Sequence, residues 1–118
     1  MSCDHTLGKL GEQLAAEHLE ADGYHILHRN WKAGRKEVDI IAGKDDTIIF
    51  MEVKTRSSKY FGMPEEAVGW KKEEHMRRVA EQWLERYGKG VRQIRFDILS
   101  VFIIPGCTPE ILHLEDVF

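Results

Sequence analysis

The chain has 118 residues, 42% of them apolar and 31% charged, which fits one ordinary globular domain over 1–118 with a single modest core. No apolar run approaches the roughly eighteen residues needed to cross a bilayer, so no membrane partner is expected. A formal net charge of −3 does not advertise a nucleic-acid binder, and the first residues lack the basic-then-apolar pattern of a secretory signal, so a cytoplasmic protein is expected.

In chain order the pattern reads α-β-β-β-α-β-β. A first helix is expected from Thr6 to Asp22, with Leu7, Leu10, Leu14 and Leu19 as its apolar stripe and Gly23 as its stop. Cys3 and His5 precede it, but no second pair at zinc spacing accompanies them, and Cys107 lies far away near the other end. "YHILHRNW" is a short strand. "EVDIIA" and "TIIFMEVKT" are two more, joined by "GKDD" as a hairpin. Pro64 suits the first turn of a second helix. That helix carries Met76, Val79, Ala80, Trp83, Leu84 and Tyr87 at a sustained helical period and stops at "GKG". "IRFDILSVFII" and a short "EILHLEDVF" complete the sheet. Helices packed on one mixed sheet give an α/β or α+β sandwich.

The hairpin brings charge together. Alternation puts Glu37, Asp39 and Ile41 on one face of their strand, and Ile48, Phe50, Glu52 and Lys54 on one face of the next. With Asp45-Asp46 as a two-residue turn, Lys44 pairs with Thr47. Asp39 then stands opposite Glu52, and Glu37 opposite Lys54, with facing Cβ atoms roughly 4.5–5.5 Å apart. Two carboxylates so placed repel each other and raise a pKa unless a cation joins them, and a hard divalent ion such as Mg²⁺ suits carboxylate oxygens. A Glu37–Lys54 ion pair, with the other acids in water, is the competing reading.

Charge distribution points the same way as the hairpin. Residues 1–22 hold five acids and one lysine, whereas 29–36 hold four basic residues and no acid. Lys54, Arg56 and Lys59 follow without an acid, and 71–95 holds eight basic residues against four acidic ones. An acidic chain can thus carry a basic edge. Solvation alone also explains mixed charge on the helical part.

The spacing Asp39…Glu52-Val53-Lys54 resembles the PD-(D/E)xK nuclease motif. The surrounding blocks "GKLGEQLAAEHLEADGYHILHRN", "EVDIIA…IIFMEVKTR", "FGMPEEAV" and "RFDIL" resemble, in order, the YraN family of small bacterial proteins. That resemblance implies a restriction-endonuclease-like fold: a mixed sheet of about five strands flanked by helices. It implies a metal-dependent nuclease cutting phosphodiester bonds, with Mg²⁺ or Mn²⁺ as cofactor. Because nothing in the sequence resembles a recognition helix or a zinc finger, structure-directed or weakly sequence-specific cleavage is expected. Asp39 and Glu52 match the metal-binding acids and Lys54 the motif lysine. Glu12 matches a glutamate that related nucleases use beside the metal. By its own spacing, seven residues before Leu19, Glu12 lies at the margin of the helix's buried stripe. A first-turn acid serving the helix dipole is the alternative.

Lys32, Arg35, Arg56 and Lys59 are expected to hold the nucleic-acid backbone. Lys72, four residues before Met76, either snorkels to solvent or adds a phosphate contact. Tyr60, Phe61 and Trp70 could stack on bases, with packing the commoner use. Asp97 in "RFDIL" is expected to be structural, beside Arg95. The family usually places glycine before its E-(I/V)-D, where this chain has Lys36, so a loop backbone that needed glycine's positive φ there would be disturbed. DNA is the favoured partner, and a homodimer suits cleavage of both strands. A non-catalytic nucleic-acid-binding or scaffold protein that keeps the fold is the alternative function.

Overall fold

The computed structural model describes residues 3–57 and 70–118, with side chains described from Thr6 in the first part and from Lys71 in the second. Helix α1 spans Cys3–Ala21, strands β1 His25–Ala33, β2 Lys36–Lys44 and β3 Thr47–Arg56, helix α2 Trp70–Tyr87, and strands β4 Gln93–Phe102 and β5 Glu110–Leu114. The order is the expected α-β-β-β-α-β-β, and the elements form an α/β domain. Among the described residues the strands make one five-stranded sheet in the order β1-β2-β3-β4-β5. β1, β2 and β3 form an antiparallel meander, β4 runs parallel to β3, and β5 returns antiparallel to β4. The parallel step needs a crossover, which α2 supplies. Pro64, Lys59, Tyr60 and Phe61 lie outside the described residues.

A sheet buried on both sides needs apolar residues at successive positions, and β3 has them in "IIFM". Ile49 and Met51 join Ala15, Ala16 and Leu19 of α1 in one core cluster. Phe50 points the other way and joins Met76, Val79, Ala80 and Trp83 of α2. The two helices therefore cover opposite faces. The stripe of α2 is as expected, apart from Tyr87, which is exposed.

The stripe of α1 differs from the leucine pattern. Leu10 is 46% exposed, while Ala15, Ala16 and Leu19 are buried. Gly11 is buried as well. The reason is proximity. A Cβ on Gly11 would lie 1.9 Å from Thr55 Oγ1, so a helix this close to β3 presents small residues and turns its larger leucine out.

Asp97 is structural, and its surroundings are more elaborate than one arginine. It is wholly buried. Arg95 donates to both of its oxygens, from Nε at 2.9 Å and from an Nη at 2.8 Å. His113 Nε2 lies 2.7 Å from Oδ2, and the Asp116 N–H donates at 3.0 Å. Arg95 also donates to the Tyr24 hydroxyl at 2.9 Å. Burial opposes ionisation, but the hydrogen bonds from His113, Arg95 and the Asp116 backbone together hold the carboxyl below its usual range. This network ties β4, β5, the start of β1 and the chain after β5 to one charge.

Candidate functional site

The hairpin register is the expected one, with Lys44 paired to Thr47 and Asp45 taking a left-handed φ of 55° in the turn. The ladder runs as far as Ile40↔Met51 and stops one pair short of Asp39 and Glu52. Instead of completing a cross-strand pair, Asp39 turns its carboxylate onto β3, where Oδ2 accepts the Val53 N–H at 2.8 Å. Glu37 does not meet Lys54. Beyond the end of the ladder no pairing holds those two together, and Glu37 lies 3.9 Å from Lys32 across β1.

The other neighbour of β2 is interrupted at the same level. β1 pairs Arg29 with Ile40 and Trp31 with Val38, so Asn30 stands across from Asp39, and Asn30 has a left-handed φ of 51°. Alternation breaks here. Val38 and Ile41 share the α2-side core, while Ile40 belongs to the α1-side core. Strict period two would have put Val38 with Ile40. Beyond this point β1 and β2 continue together to Ala33↔Lys36, and β3 and β4 to Arg56↔Phe102. The sheet thus divides into two arms, and Asp39 and Glu52 sit where they part.

The charge at the fork is poorly balanced. Burial, with the nearby carboxylates of Glu12, Glu52 and Glu37 adding to it, raises the pKa of Asp39 to about 6 against the opposing Val53 N–H. Glu52 is mostly buried, with 15% of its side chain exposed. Its Oε1 meets Lys72 Nζ at 2.5 Å and Lys54 Nζ at 3.3 Å. Its Oε2 is buried and has no hydrogen-bond partner among the described residues.

A cleft of about 320 Å³ opens between α1 and the end of β3, lined by Leu7, Gly8, Glu12 and residues 53–57. Glu12, Lys54 and Arg56 therefore share one cavity. Asp39 and Glu52 do not line it, but Lys54 joins it to Glu52, and Glu12 acts electrostatically on Asp39. Arg35 lies elsewhere, with Lys36, in a groove of about 460 Å³ between the β1–β2 turn and α2, facing Arg78, Glu81 and Glu85. Lys32 is on β1 with its side chain largely exposed. Lys72 is neither free nor simply snorkelling, because Glu52 holds it.

Lys36 leaves the backbone undisturbed. It pairs with Ala33 in the β1–β2 ladder, and the left-handed position in that turn belongs to Gly34, with φ 64°. Sequence reading missed Gly11, Thr55 and Asn30. Asn30 carried a usable signal, since asparagine is enriched in the left-handed region.

The donor set suits a hard cation: two carboxylates one step past the end of the same ladder, one with an oxygen lacking a hydrogen-bond partner among the described residues, and Glu12 acting electrostatically on Asp39. Among the described residues, however, no group of three His, Cys, Asp or Glu side chains is arranged to hold a metal ion by itself. Of the Glu52 carboxylate, Oε1 is engaged by Lys54 and Lys72, while Oε2 has no hydrogen-bond partner among the described residues.

Fold and fork together define a class: an α/β domain whose mixed sheet carries an acid, acid and lysine group where two strands part. Residues 11–101 match the model of the uncharacterised protein family UPF0102. The UPF0102 protein of Rhodococcus jostii is 41% identical over 95% of each chain. That of Alkaliphilus oremlandii is 46% identical over 95% of this chain and 97% of its own. That of Dictyoglomus turgidum is 42% identical over 92% and 91%. The chain belongs to the UPF0102 family, the one to which the YraN resemblance pointed. No described helix is long and apolar enough to cross a membrane.

Proposed function

We propose that this protein is a metal-dependent nuclease that hydrolyses phosphodiester bonds of nucleic acid, structure-directed or weakly sequence-specific. The observation that carries the reading is the unbalanced charge at the fork. Asp39, raised to a pKa of about 6, stands one step beyond the ladder from a Glu52 whose Oε2 has no partner among the described residues. A polar site built this way costs stability unless a cation joins it.

Asp39 and Glu52 would hold Mg²⁺ or Mn²⁺, with Glu12 beside them, and the ion supplies Lewis acidity toward the phosphate together with activation of the attacking water. Lys54, which lines the cleft, stabilises the charge that develops on the phosphate. Arg56 in the same cleft holds the backbone, and Lys32 and Lys59 extend the contact, whereas Arg35, in the groove against α2, is apart from it. Such contacts position a substrate without reading its sequence. DNA is the substrate we favour, and a homodimer acting on both strands is the assembly consistent with it.

Titrating Mg²⁺ or Mn²⁺ against linear, branched and single-stranded DNA tests the reading. Wild type should cut only with metal, and Asp39→Ala should bind without cutting. One observation favours a second reading, a non-catalytic nucleic-acid-binding protein: Glu52 is already engaged by two lysines. Binding unchanged by Asp39→Ala, with no metal-dependent cutting in wild type, would decide for it.

A further inference from the structure

Two lysines from different elements meet at one oxygen. Lys54 lies two residues along β3 from Glu52, and its Nζ is 3.3 Å from Oε1. Lys72 comes from the first turn of α2, and its Nζ is 2.5 Å from the same atom. Both ammoniums converge on Oε1, while Oε2 of the same carboxylate has no hydrogen-bond partner among the described residues. Asp39, one step beyond the ladder, accepts from a backbone N–H.

We propose that Lys72 is the built-in counter-cation of this site: it holds Glu52 Oε1 in the metal-free protein and yields that position when a divalent ion binds. The inference rests on the metal reading above. Ammonium and metal compete for one carboxylate charge, because each neutralises the carboxylate by direct contact. Lys72 can leave cheaply. Its stem is a flexible four-carbon chain, and 31% of its side chain is already exposed. Helix α2 does not depend on the pair, since Met76, Val79, Ala80 and Trp83 anchor it in the core. Lys54 has the complementary position. It lies farther from the oxygen and lines the cleft, so it can stay in place as the metal enters.

Calorimetric titration of Mn²⁺ into wild type, Lys72→Met, Lys72→Arg and Lys54→Met tests this without any activity assay. Lys72→Met keeps the apolar stem and removes the competitor. It should tighten Mn²⁺ binding by roughly three- to tenfold, the order expected for one partly exposed charge-assisted contact. Lys72→Arg keeps the charge and should stay near wild type, and Lys54→Met should gain less than Lys72→Met. The Mn²⁺-induced rise in melting temperature should be larger in Lys72→Met than in wild type. A helix anchor with no part in metal binding would instead lower the metal-free melting temperature and leave the Mn²⁺ affinity unchanged. If wild type binds Mn²⁺ and Lys72→Met binds it no tighter, the counter-cation role is overturned while the metal site stands. If wild type binds no Mn²⁺, the metal reading itself falls.

Discussion

Asp39 has a pKa of about 6 where an unfolded aspartate has 3.8, and that difference has a direction in stability. Between those two pH values the folded protein holds a proton that the unfolded chain has released. Stability therefore falls as pH rises through this window, and the full cost persists above it. Asp39→Asn removes the charge and keeps an oxygen to accept from Val53. It should stabilise the metal-free protein on the order of 1–2 kcal/mol near pH 8, after discounting for solvent screening, and should do little near pH 4. Thermal unfolding at both pH values checks this, and an equal effect at the two would contradict it. The turn residues fixed the hairpin register, but the expected Asp39–Glu52 pair lies one step past the end of the ladder, where the strand period breaks. The Lys72 contact was not legible, since nothing local to α2 says which strand residue it will meet.

At the scale of elements, α1 reaches the site through a contact between glycine and threonine. Gly11 lets the helix lie against Thr55, and that approach brings Glu12 to the cleft. Gly11→Ala should overpack the contact, costing about 1–3 kcal/mol, and should weaken any Mn²⁺-induced stabilisation by moving Glu12. Adding Thr55→Ala should recover part of the loss, because it removes two of the three crowded atoms. Gly8→Ala is the control, with nothing within 4 Å of its new Cβ. It should be neutral or stabilising, as alanine for glycine in a helix usually is. Denaturant unfolding of the set decides, and equal behaviour of the Gly8 and Gly11 variants would contradict the close-approach account. The leucine spacing of α1 misled because helical period finds apolar positions but cannot tell how near the partner strand comes. The hairpin register was readable for the opposite reason, being set by two turn residues. The end of its ladder depends on Asn30 and Asp39 breaking the alternation of two strands at once, and period alone does not carry that.

Across the whole molecule, two acidic centres are treated in opposite ways. Asp97 is fully buried and its oxygens are taken by Arg95, His113 and the Asp116 backbone, so its charge is spent on holding β4, β5 and the chain end together. Asp39 and Glu52 lie where the sheet parts, the Oε2 of Glu52 without a hydrogen-bond partner among the described residues, with Glu12, Lys54 and Arg56 in the adjoining cleft. The overall fold order was legible because each element carries its own period and stop signals. The division of labour between the two acidic centres was not, since it depends on contacts between residues far apart in the chain. The central claim is that a divalent ion belongs to the second centre. Anomalous diffraction from crystals soaked in Mn²⁺ tests it most directly. The account predicts a peak between the Asp39 and Glu52 carboxylates, with Lys72 Nζ displaced from Oε1. Absence of a peak there, in crystals whose Asp39 is ionised well above pH 6, would contradict it.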